Sequence, residues 1–104
     1  MTKVGDGSTL VRLRLDPVDV GVLRVLTHVA VENQTTAYTK ARLGINNGAT
    51  DFYLDEQSTI AADELLVSRS DILLGEGDFF FAELTGTTSG DLLILTCIGW
   101  EMAL

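Results

Sequence analysis

GDFFFAELTGTTSGDLLILTCIGWE, residues Gly77 to Glu101, contains two apolar runs that each open on the dipeptide Gly-Asp. Gly77-Asp78 leads into three phenylalanines, and Gly90-Asp91 leads into Leu92-Leu93. A phosphate-cradling loop would need more glycines and a helix after it, and here a strand-forming run follows. A calcium loop would need several spaced carboxylates, and only Glu76 and Asp78 are near. Each Gly-Asp therefore reads as a turn, with glycine supplying backbone freedom and aspartate accepting a nearby backbone N–H. In a strand, three successive phenylalanines cannot all point one way, so Phe80 opposes Phe79 and Phe81. These rings are expected in a core or an interface. The stretch Leu84 to Asp91, rich in Gly, Thr and Ser, is expected to be a hairpin loop joining Phe79–Leu84 to Leu92–Glu101. In the last run Leu92, Ile94, Thr96, Ile98 and Trp100 share one face, and Leu93, Leu95 and Cys97 make the other apolar. That pattern predicts a central strand covered on both sides.

Alternation also governs the segments before it. Val11, Leu13 and Leu15 share a face, with Arg12 and Arg14 opposite, until Asp16-Pro17 breaks the strand. Between Val22 and Val31, Leu23, Val25, Thr27, Val29 and Val31 fall on one side. Arg24, Leu26, His28 and Ala30 fall on the other. From Tyr38 to Ile45 the inward positions are Thr39, Ala41, Leu43 and Ile45, and the outward ones are Tyr38, Lys40 and Arg42. Asn46-Asn47-Gly48 is a turn signal before a short return strand, Phe52–Leu54. Residues 61–66 allow at most one helical turn. The pattern predicts an all-β fold: an antiparallel β-sandwich, jelly-roll-like, with seven or eight short strands. Residues 1–8 are expected to form a flexible N-terminal arm and residues 9–104 a single domain.

The 104 residues suffice for one core. Hydrophobic residues make up 46% of the chain and mean hydropathy is +0.27, so some apolar surface is expected to be covered by self-association or a partner. No apolar run is long enough to span a membrane as a helix, and no signal peptide is apparent. The net charge of −8 argues against a nucleic-acid binder. Six of the seven basic residues fall in residues 1–50 and eleven of the fifteen acidic ones in residues 51–104, so oppositely charged faces of neighbouring subunits could meet. The single Cys97 reads as a small buried hydrophobe in a reducing compartment.

No catalytic constellation stands out, and neither a cofactor nor a metal is expected. His28 is the sole histidine, too little for a histidine metal site or a triad. Asp51, Asp55 and Glu56 lie close in sequence, as a solvated turn would place them. Asn33-Gln34-Thr35 has the form of a glycosylation sequon. Arg12, Arg14 and Arg24 are candidates for pairing with acids of a neighbouring subunit. Tyr38, Tyr53 and Phe80 are candidates for packing at a subunit interface or against another protein partner.

One family resemblance can be placed on residues. Val29-Ala30-Val31-Glu32-Asn33, Ala41-Arg42-Leu43-Gly44-Ile45, Tyr53-Leu54-Asp55-Glu56 and Ile60-Ala61-Ala62 carry its first half. Leu74-Gly75-Glu76-Gly77-Asp78, Ser89-Gly90-Asp91 and Gly99-Trp100-Glu101 carry its second. With these the chain resembles small jelly-roll virion proteins of tailed bacteriophages. The resemblance implies a non-enzymatic capsid decoration (cement) protein, or a neck or tail component. It further implies a homotrimer bound to the major capsid protein, present in the virion after assembly in the bacterial cytoplasm, with no membrane or direct nucleic-acid contact. A small carbohydrate-binding module is the rival, favoured if Tyr38, Tyr53 or Trp100 is exposed on one concave face.

Overall fold

The computed structural model describes residues Met1–Leu104. Its nine strands are β1 (Thr2–Val4), β2 (Leu10–Arg14), β3 (Val22–Asn33), β4 (Tyr38–Asn46), β5 (Asp51–Ile60), β6 (Leu66–Ser68), β7 (Ile72–Leu74), β8 (Phe79–Thr85) and β9 (Leu92–Ala103). They form two antiparallel sheets, so the predicted all-β sandwich holds, with nine strands rather than seven or eight. The first sheet has the order β1-β9-β3-β6, with β7 also on β3; the second has the order β2-β8-β4-β5. β6 pairs with Val29–Val31 and β7 with Arg24–Leu26. Taken as one interrupted edge strand, they complete a jelly-roll order.

The core lies between the sheets. Leu13, Leu43, Phe80 and Leu84 of the second sheet meet Val29, Val31, Leu93 and Leu95 of the first, and all eight are fully buried. Burying each such side chain stabilises the fold by about 1.5–3 kcal/mol. The hairpin β4–β5 turns at Asn46-Asn47-Gly48 as expected: Gly48 N–H donates to Asn46 Oδ1 at 2.7 Å and Thr50 N–H to Asn47 Oδ1 at 2.8 Å. The return strand is longer than expected and runs to Ile60. Residues 61–64 form a turn, closed by Glu64 N–H on Ala61 O at 3.2 Å, rather than a helix.

Several expectations are corrected. β8 and β9 are not a hairpin: β8 pairs with β2 and β4, and β9 pairs with β3 and β1. Gly86–Asp91 therefore crosses from one sheet to the other. The N-terminal residues are not a loose arm. Thr2–Val4 forms the edge strand β1 on β9, the Met1 amino group donates to Leu95 O at 2.6 Å and Gly5 N–H to Asp91 O at 2.7 Å. Tyr38 does not face outward; it is the first residue of β4, at the crossover from β3, where its ring joins the core with Ile60 while Thr39 is exposed. β3 also changes phase. A bulge between Leu26 and His28 shifts its register on β9, so Leu26 and Val29, three residues apart, both face the core. Ahead of the bulge Val22, Arg24 and Leu26 point to the inner side, and Leu23 and Val25 point outward.

Candidate functional site

The outer face of the second sheet is built from cross-strand rows. One row runs Arg12–Glu83–Arg42–Glu56 across β2, β8, β4 and β5, alternating in sign; the next runs Arg14–Phe81–Gly44–Tyr53. Arg12 donates to Asp51 Oδ2 and to Glu83 Oε2, both at 2.8 Å, and Arg42 donates to Glu56 Oε1 at 2.5 Å. The guanidinium groups also cover aromatic rings: Arg12 lies 4.1 Å from the Phe81 centroid, Arg14 3.8 Å from that of Phe79, and Arg42 4.6 Å from that of Tyr53. Tyr53 meets Phe81 edge to face at 5.8 Å. Phe81 fits because residue 44 is glycine: a Cβ there would stand 2.7 Å from its ring. The hydrogen bond from Arg12, with a further one from Asn46, holds the Asp51 carboxyl below the usual carboxylate range.

Charge is concentrated on this face. It carries four cations (Arg12, Arg14, Lys40, Arg42) against three carboxylates (Asp51, Glu56, Glu83), in a chain whose net charge is −8. A shallow recess of about 240 Å³ opens among Leu10, Lys40, Arg42, Tyr53, Glu83 and Thr85.

The outer face of the first sheet has the opposite character. Leu73, Val25 and Trp100 form one row across β7, β3 and β9, flanked by Leu23–Met102 and His28–Ile98. Leu73 is 63% exposed, Ile98 57%, Trp100 50% and Met102 47%. β9 was expected to be covered on both sides. Its inner side, with Leu93 and Leu95, is covered, and its outer side is open.

Between the sheets at one end, a cleft of about 280 Å³ is lined by Leu15, Arg24, Leu26, Cys97 and Glu101 among others. Its charged groups satisfy each other, Arg24 Nε donating to Glu101 Oε1 at 2.7 Å. Arg24 also donates to Asp16 O at 2.8 Å.

Of the candidate interface residues, Arg12 and Arg24 are already paired within the subunit, Arg14 lies on Phe79, and Tyr53 is exposed on the charged face. Phe80 is fully buried at the centre of the core and Tyr38 is 5% exposed, so neither is open to a partner. Burial, with Glu64 and Glu32 nearby, pushes the Tyr38 hydroxyl up to about 12. Cys97 is half-buried, as a small hydrophobe packed on the core, and burial pushes its thiol up to about 11. Tyr53 and Trp100 are both exposed, on opposite outer faces.

Both Gly-Asp pairs are turns. Asp78 Oδ2 accepts Gly75 N–H at 2.9 Å. Asp91, 1% exposed, accepts from Asn33 Nδ2 at 2.8 Å, and from Thr36 Oγ1 and Thr88 N–H at 2.7 Å each. Burial raises the Asp91 carboxyl, but these three bonds together outweigh it and hold the group below its usual range. Asn33 of the sequon is itself fully buried and ties the β3–β4 crossover to this turn.

Fold and faces together define an all-β sandwich of jelly-roll order with one charged and one apolar outer sheet face. Comparison of the chain with models of protein families, with curated proteins and with solved structures finds no match.

Proposed function

We propose that this is a structural virion protein of a tailed bacteriophage, one that binds the capsid and stabilises it as a decoration (cement) protein. The observation that carries this reading is the open outer face of β7, β3 and β9. Four large apolar side chains stand there, each about half exposed or more, and water-facing apolar area of that kind is stabilised by a protein surface laid over it. The charged face of the other sheet suits register-setting contacts, because its rigid Arg–aromatic rows present charge at fixed positions. The resemblance to phage jelly-roll proteins supplies the setting, with the major capsid protein as partner, and the role asks no chemistry of the chain.

Sedimentation of the purified protein with particles of its phage tests this. The protein is expected to travel with expanded capsids that lack necks and tails, and to raise their resistance to heat. Retention by neck- or tail-bearing particles alone would reassign it to a ring component, and retention by neither would remove the virion reading.

A further inference from the structure

We propose that the outer face of the first sheet is covered by a second copy of this chain, the two packed sheet on sheet as an isologous pair. This rests on the proposed reading of that face as a covered protein surface; it makes a second copy the occupant in place of the capsid and leaves the Arg–Glu face of the second sheet for the capsid.

The first argument is charge. From the Leu23–Met102 row to the Ala30–Thr96 row, β3 and β9 present no Asp, Glu, Lys or Arg on this face, and His28 is their one ionisable side chain; Arg69 and Asp71, of opposite sign, lie at its edge in the exposed bend between β6 and β7. Glu32 comes in only at the far end, opposite Ile94. Two chains of net charge −8 repel each other over most of their surfaces, and least where neither presents charge. A partner chosen by charge complementarity would instead be drawn to the acidic loops or the Arg–Glu rows. The occupant here is selected by apolar area and flatness, and the same face of a second copy supplies both.

The second argument is the bulge. A regular β3 would keep Leu23 and Val25 in phase with the core residues Val29 and Val31, and would turn Arg24 toward solvent. The shift between Leu26 and His28 does the reverse. Arg24 and Glu101 pair on the inner side at 2.7 Å, and Leu23, Val25, Trp100 and Met102 are turned outward. An isolated subunit gains nothing in solubility from that arrangement, whereas a paired one gains an apolar contact.

The third argument is size. With roughly half or more of Leu73, Ile98, Trp100 and Met102 open, the patch offers on the order of 500 Å² per copy. That lies in the range of the largest apolar patch on a monomer and fits the centre of an interface burying about 800 Å² per partner. Sheets pack face to face about 10 Å apart, and Trp100, beside Val25 at the middle row, is placed as the anchor. One self-complementary patch closes at two copies, whereas a ring of three needs two different patches.

Light scattering after size exclusion, with the full chain, decides it. The expected mass is about 22 kDa, twice the 11.2 kDa chain. Trp100→Glu and, separately, Leu73→Glu should each return the mass to 11.2 kDa with an unchanged circular dichroism spectrum. Raising salt to about 1 M should leave the pair intact or tighten it, since it screens only repulsion. A monomeric wild type, a pair that survives both substitutions, or a mass of three chains overturns the proposal. Capsid sedimentation separates the two readings. A monomer whose capsid binding is lost in Trp100→Glu leaves the virion role standing without the pair, and a pair that binds no particle leaves the pair without the role.

Discussion

Gly99 faces Leu26 across the register shift in β3, and it is the residue on which the bulge depends. A Cβ at this position would stand 1.9 Å from Val25 O and 2.8 Å from Leu26 Cα, both backbone atoms that cannot swing aside. Gly99→Ala therefore has to push β3 away from β9. The expected loss is about 2–3 kcal/mol, at the upper end of overpacking costs, read as a fall in melting temperature of roughly 10–20 °C. A melting temperature within a few degrees of wild type would mean that the strands separate freely here and that the bulge is not held. Alternation in Val22–Val31 gave no warning of the bulge, because a single inserted residue leaves each half of the pattern regular and only exchanges their faces. The bulge is also what makes Arg24 an inner residue.

At the scale of strands, the row Arg12–Glu83–Arg42–Glu56 holds two kinds of ion pair. Glu83 is 6% exposed and relies on Arg12, which also covers the Phe81 ring. Arg42 and Glu56 are both open to solvent, where attraction is offset by side-chain entropy and hydration. Arg12→Ser should cost about 1–3 kcal/mol by leaving a buried carboxylate without its cation, and Glu83→Gln in the same chain should restore part of that loss. Arg42→Ser should scarcely move the thermal melt. Equal effects of the two arginine substitutions would show that burial of Glu83 is not what separates them. Elements of this kind were only partly legible in the sequence. The strands, the Asn-Asn-Gly hairpin and the two Gly-Asp turns follow from alternation and turn chemistry, which are local. The pairing of β8 with β2 and β4 instead of β9 is set by the jelly-roll wrap, a non-local choice to which a Gly/Thr/Ser-rich loop is indifferent. Tyr38 and Phe80 share the cause of the remaining errors: aromatic side chains satisfy both a core and an interface, and only three-dimensional packing tells them apart. The open face was present as a hint. A strand apolar on both sides, in a fold of only two layers, must leave one side for a partner.

For the molecule as a whole, falling pH acts on the fold and on its surface in different windows. Asp91 and Asp51 have carboxyls held below their usual range by their hydrogen bonds. A group depressed in this way stabilises the fold at every pH above its unfolded value, near 3.9, and loses that contribution as pH drops through its lower folded value. The net charge of −8 meanwhile vanishes near the isoelectric point of about 4.3, as the other carboxylates protonate, so repulsion between copies fades before the depressed Asp91 and Asp51 take up their protons. The melting temperature should be level from pH 7 to about 5 and fall below about pH 4, while association tightens on the way down. Asp91→Asn tests the assignment. All three donors converge on Oδ2, so the amide can keep an oxygen there but gives up the charge that strengthens each bond, and the plateau should drop by about 1–3 kcal/mol. Because one linked proton has been removed, the acid limb should also be shallower by up to about 1.4 kcal/mol per pH unit. Thermal melts followed by circular dichroism at half-unit steps would show both. A variant with the lower plateau but an acid limb as steep as wild type would mean that other carboxylates drive acid unfolding, and that Asp91 serves the fold through its geometry alone.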